Sequence, residues 1–115
     1  MGRMDRIQEI RKGSTPVLIL SVLADKKMYG YQIMRELEKR SDGYFTMTAA
    51  LLYPTLHQLE EQELVESEWQ GQPGTRRRKY YTITTKGKKA LQARRIEWQN
   101  FLTHLFKTLQ FSGES

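Results

Sequence analysis

Four cations stand in succession at Arg76, Arg77, Arg78 and Lys79, directly after "GT" and directly before "YYTIT". Like charges crowded at the start of a strand repel one another unless something anionic faces them. The chemistry that suits them is neutralisation of phosphates, with release of the counterions those phosphates had condensed. A second group of candidates lies upstream in "TMTAALLYPTLHQ". Ala50 and Pro54 permit close approach. Tyr53, His57 and Gln58 offer groups that hydrogen-bond to phosphates or base edges, and amides at a helix start near Thr48 suit a phosphate. Catalytic chemistry has no comparable constellation: nothing fixes a nucleophile beside a base, and no Gly-rich phosphate loop is present. There is no cysteine, and the two histidines lack companions at ligand spacing, so no metal, no other cofactor and no enzymatic activity are expected.

Length and composition agree with a nucleic-acid partner. The chain has 115 residues, enough for one domain with one modest core. Its formal net charge is +6, which points to an anionic partner and says nothing of fold. Hydrophobic residues make up 38%, too many for a disordered chain. The N-terminal "MGRMDRIQEIRKG" lacks an apolar stretch of signal-peptide length, and "VLILSVLA" is far short of a membrane span. A soluble, cytoplasmic protein with no membrane partner is expected.

Three helices must position the second group. Thr15 can cap and Pro16 suits a first helical position, so a helix is expected from there through "VLILSVLADKK", apolar almost all round and therefore buried. Met4, Ile7 and Ile10 form a weaker helical stretch before it. Tyr29, Ile33 and Leu37 stripe a second helix that Asp42 and Gly43 end. The third, capped by Thr46 or Thr48, buries Leu52, Leu56 and Leu59 and turns Ala50, Pro54, His57, Gln58 and Glu61 outward, with Tyr53 on its flank. Capped at Thr48, it carries Pro54 beyond its first turn, at the cost of one backbone hydrogen bond. Tyr53 is open to two roles, phosphate contact or packing.

Two strands follow. "LVESEWQ" and "RKYYTIT" alternate, and "GQPGT" between them is a turn signal, which predicts an antiparallel hairpin with a basic tip. Within it, Arg78 can pair with Glu66 or Glu68 across the hairpin. Glu60, Glu61 and Glu63 call for no role beyond solubility. The last element is a helix from about Thr85 to Leu109. Leu91, Trp98, Leu102, Leu105 and Leu109 share one face at steps of seven, four, three and four, nearly a heptad seam, and Ile96, Phe101, Phe106 and Phe111 widen it. A chain this short has little core left to cover that face, so a second copy is the expected cover. The tail "SGES" is expected to be loose.

Helix, helix, helix and basic hairpin is the order of a winged helix-turn-helix, in which the third helix enters the major groove and the hairpin meets the backbone. The expected fold is mainly α with a small β-hairpin (α+β): a DNA-binding unit over 1–84 and a long dimerisation helix with its tail over 85–115. At this point the sequence resembles a known family. "LLYPTLHQLEEQELV" resembles the "TLYPxLxxLExxGLI" motif of PadR-like transcriptional regulators, "YGYQI" their second helix and "GTRRRKYYTITTKG" their wing. The resemblance runs from about Thr15 into the last helix, and the single C-terminal helix is similar to the short subfamily. It implies a homodimeric repressor that releases double-stranded operator DNA on meeting a small molecule or other cue. An aromatic effector stacking between two copies of Trp98, with Phe101 and Leu102 lining the cavity, is the corresponding ligand expectation; plain packing is the other reading of Trp98. Two positions depart from the family pattern. Ala50-Leu51 replaces the frequent Gly-Thr, which alters base-facing chemistry, and Glu63 replaces a helix-stopping Gly, so a different local turn is expected. An effector-independent architectural DNA-binding protein and a winged-helix protein–protein adaptor are the alternatives.

Overall fold

The computed structural model describes the backbone of residues 2–110 and the side chains of residues 13–110. The expectations for Met4, Ile7, Ile10, Phe111 and the tail therefore lie outside the described side chains. The order is α1 (Gly2–Leu23), β1 (Met28–Tyr29), α2 (Gly30–Arg40), α3 (Ala49–Glu61), β2 (Val65–Gln70), β3 (Arg78–Ile83) and α4 (Thr85–Leu109). This is the α+β winged-helix architecture that the sequence predicts, with three differences in detail.

The first concerns α1. It is continuous through Pro16, so Thr15 and Pro16 are interior and not a cap and first position. Thr15 is buried. Good helix formers in "MDRIQEIRK" carry the helix up to the proline, whose cost is confined to one hydrogen bond and local crowding. The all-apolar stretch does what such stretches do. Ile19, Leu20, Val22 and Leu23 are fully buried at the centre of the chain, where α1 packs against α2, α3, α4 and β3.

The second is a third strand. Met28 and Tyr29 pair antiparallel with Tyr81 and Tyr80, giving a sheet of order β1-β3-β2. Two residues are too short to show a period of two, which is why sequence periodicity assigns Tyr29 to a helix stripe. Tyr29 instead precedes α2, its N–H donating to Gln32 Oε1 at 3.2 Å. Ile33 and Leu37 of the same stripe are buried as expected. β2 and β3 form the predicted hairpin, with Val65 opposite Ile83 and Gln70 opposite Arg78.

The third is the turn after α3. Glu63 adopts a left-handed conformation, φ 64°, as the glycine it replaces would. Its N–H donates to Glu60 O (2.9 Å) and that of Leu64 to Leu59 O (2.9 Å), a complete Schellman closure, so the expected different turn does not occur. The sheet demands the same exit direction whichever residue stands there. Glu63→Gly is therefore expected to stabilise the chain by about 1 kcal/mol, the left-handed penalty less the entropy glycine adds to the unfolded state. Urea unfolding should show a higher midpoint at unchanged slope.

Candidate nucleic-acid interface

The third helix is fixed by its buried stripe. Leu52, Leu56 and Leu59 are fully buried, and Thr55 turns its hydroxyl inward to donate to Leu51 O at 2.9 Å. Thr48 is the N-cap, accepting from Leu51 N–H at 3.3 Å. α3 therefore presents Thr48, Ala50, Tyr53, Pro54, His57 and Gln58 along one exposed side. Pro54 lies inside the helix, and the carbonyl it leaves unpaired belongs to exposed Ala50, where water can serve it. The approach to α3 is a tight turn. Asp42 and Gly43 take φ 54° and 83°, and Ser41 Oγ donates to Leu37 O while accepting from Phe45 N–H at 2.8 Å.

Tyr53 is 38% exposed, and its hydroxyl end lies against Gly30 at the start of α2. A Cβ at Gly30 would meet Tyr53 Cζ at 2.7 Å. The hydroxyl end of Tyr53 thus packs on α2 while the side chain as a whole stays partly exposed, because glycine leaves it a seat.

The hairpin tip is closed by Thr75, whose hydroxyl donates to Gln72 O (2.7 Å) and accepts from Gln72 N–H (3.1 Å). Gly71, at φ 138°, lets its strand pass the Arg76 carbonyl and Arg77 Cα, each 3.0 Å from where a Cβ would stand. The four cations divide into two kinds. Arg76 and Arg77 are exposed, and among the described residues neither forms an ion pair or a side-chain hydrogen bond. Arg78 lies over the Tyr29 ring, 4.6 Å from its centroid, and Lys79 reaches the Tyr81 ring at 5.8 Å. The expected pairing of Arg78 with Glu66 or Glu68 does not occur, since the register sets those residues opposite Thr82 and Tyr80.

Between α3 and the hairpin lies a cleft of about 410 Å³, lined by Tyr29, Gly30, Tyr53, His57, Trp69, Arg77, Arg78, Lys79 and Tyr81. Three cations, four aromatic rings and one imidazole face it, and among the described residues no carboxylate does. Burial holds the Tyr81 phenol above its ordinary value, with the charges of Glu60 and Tyr53 acting in the same direction. Sequence reasoning passed over three residues here. Tyr29 and Trp69 line the cleft, and Glu60 accepts from Ser67 Oγ at 2.6 Å, tying α3 to β2. The legible signal for Trp69 is an indole two residues from a turn, on a strand whose partner begins with cations.

On α4, Leu91 corrects the expected seam: at 3% exposure it belongs to the chain's own core. Leu102, Leu109, Ile96, Phe101 and Phe106 are exposed, with Trp98 and Leu105 half-buried. Trp98 and Phe101 meet edge to face at 5.8 Å and, with Glu97, line a hollow of about 290 Å³. No group of His, Asp or Glu able to hold a metal occurs among the described residues, and no described helix is long and apolar enough to cross a membrane.

Comparison with known proteins agrees with this geometry. The model of the family "Transcriptional regulator PadR-like family" matches residues 19–93. A transcriptional regulator of Mycobacterium tuberculosis, Rv3488, is 34% identical over 85 residues, covering 74% of this chain and 76% of that protein. The crystal structure of a PadR family transcriptional regulator from Eggerthella lenta superposes with TM-score 0.79 at 30% identity, covering 95% of this chain and 93% of that one. A second structure is of Bacillus subtilis PadR in complex with operator DNA. It has TM-score 0.62 at 23% identity, covers 69% of this chain and 45% of its own, and shows likeness of fold.

Proposed function

The chain belongs to the PadR-like family of DNA-binding transcriptional regulators, and we propose that it is a homodimeric repressor that reads double-stranded operator DNA and releases it when an effector binds. The observation that carries this is the pairing of an exposed polar α3 side with the wing arginines Arg76 and Arg77, which among the described residues have no ion-pair partner, across a cleft that no described carboxylate lines. In this reading Ala50, Pro54, His57 and Gln58 approach base edges, while Thr48, Tyr53 and the wing, Arg76 to Lys79, hold the backbone. The operator complex recorded for Bacillus subtilis PadR supports the same use of this fold. Residues 1–84 form the DNA-binding unit and 85–115 the dimerisation helix and tail, with the first turns of α4 also serving the core through Leu91.

The exposed α4 side supports the dimer. Trp98, Leu102, Leu105 and Leu109 continue the seam once Leu91 is removed from it. Two copies set the α3 helices about one helical turn apart on the duplex. A flat aromatic effector at Trp98, Phe101 and Leu102 changes that spacing by binding one arrangement more tightly than the other. Leu102, 39% exposed within one chain, is the test position. Leu102→Glu is expected to give monomers in light scattering with an unchanged circular dichroism spectrum; a dimer that survives it places the seam elsewhere.

The function is tested by fluorescence anisotropy with the duplex upstream of the protein's own gene, at fixed salt and with excess random duplex. Binding that survives the competitor supports a sequence-specific regulator. Binding that the competitor abolishes favours an architectural DNA-binding protein, and no binding at low salt favours the adaptor reading.

A further inference from the structure

The cleft contains one ring that its neighbours leave open. Arg78 covers Tyr29, Lys79 reaches Tyr81, and Gly30 seats Tyr53. Trp69 differs. It is 56% exposed, and among the described residues it pairs with no other ring and no cation stands over its face. It stands directly opposite Lys79 on the hairpin, so its indole borders the cations of the wing.

An exposed indole at the edge of a basic cleft suits a particular chemistry. The cations take an anion, and the ring takes the apolar or planar group attached to it. A DNA strand supplies both in alternation: phosphate, then deoxyribose. We propose that Trp69 is a DNA-contacting residue whose indole packs on a deoxyribose of the backbone strand that Arg77 and Lys79 hold. The proposal rests on the operator-binding reading above and adds to it a contact without charge.

That lack of charge makes the contact separable by experiment. Neutralising a phosphate releases counterions and steepens the salt dependence of binding, whereas packing on a sugar releases none. Trp69→Ala is therefore expected to weaken binding about tenfold while leaving the slope of log K against log salt unchanged, and Trp69→Phe to restore part of the loss. Position 69 is exposed, so both variants keep the fold, checked by circular dichroism.

The chain has two tryptophans, so Trp98→Phe leaves Trp69 as the only indole reporter. Titrating this variant with a fluorescein-labelled random duplex at low salt, Trp69 emission should change and saturate together with the anisotropy of the label. Saturating anisotropy with unchanged Trp69 emission, or Trp69→Ala binding as tightly as its parent, overturns the sugar contact and leaves DNA binding standing. A tenfold loss with a lowered slope also overturns it, because Trp69 would then be acting through the wing cations. If the parent protein shows no anisotropy rise at low salt, the operator reading and the sugar contact fail together.

Discussion

Gly87→Ala is expected to destabilise the chain by about 3 kcal/mol, the upper range for an overpacked site, and to lower the thermal midpoint by roughly 10 °C or more. The added Cβ would lie inside the contact radius of the Leu64 carbonyl oxygen, 3.0 Å from its carbon and 2.8 Å from Ile83 Cγ1. Neither neighbour can retreat cheaply. Leu64 O accepts from Thr84 N–H at 3.0 Å, and Ile83 is buried in the sheet. α4 cannot slide away either. Thr84 Oγ1 accepts from Gly87 N–H at 2.9 Å and donates to Glu63 O at 2.7 Å. A methyl at position 87 therefore breaks a cap, a sheet edge or both. Thermal unfolding followed by circular dichroism decides the matter. A midpoint within about 2 °C of the parent, well under 1 kcal/mol, would show that α4 tolerates displacement at its base.

The second large effect is on DNA. Arg76→Ala with Arg77→Ala is expected to reduce the salt slope by about two per copy, nearly four for the proposed dimer, and to weaken dimer binding more than about a thousandfold at ~0.1 M salt, since each phosphate contact contributes about 0.9 to the slope. The loss should be nearly equal for specific and random duplexes, because phosphates carry no sequence. Arg78 makes an informative contrast. Its guanidinium is seated on Tyr29, so Arg78→Ala also removes a cation–π contact that joins β3 to β1. That variant should lose stability as well as affinity, whereas the Arg76 and Arg77 changes should leave the thermal midpoint where it was. Anisotropy at several salt concentrations, paired with melting curves, distinguishes the two kinds of arginine. An unchanged slope in the double variant would remove the wing tip from the interface.

Much of this was readable from residues alone, for identifiable reasons. Leu52, Leu56 and Leu59 repeat at helical spacing, and Val65 and Ile83 mark alternating strands, so the helices and hairpin declared themselves. Both the basic run and the polar α3 side followed from residue type. What stayed hidden depended on contacts distant in sequence. β1 exists because β3 offers it a partner. Leu91 fits a heptad and a core equally well, and only the packing of α4 on α1 decides between them. Glu63 follows its turn because the strand beyond dictates the exit, against its own preference. Trp69 looked like one more strand residue until the fold set it beside Lys79 and across from His57.

The seat of Gly87 has a mechanical consequence. With its first turn locked to Leu64 and Thr84, α4 leaves the body as a stiff lever and not as a hinged arm. Its 25 residues extend about 37 Å. A rotation of about 5° at one end then sweeps the other through about 3 Å, close to the rise of one base pair. In the proposed dimer, a small effector wedged at Trp98 has no need to deform either body. A tilt too slight to disturb the packing of either chain puts the two α3 helices out of step with the duplex by a whole base pair.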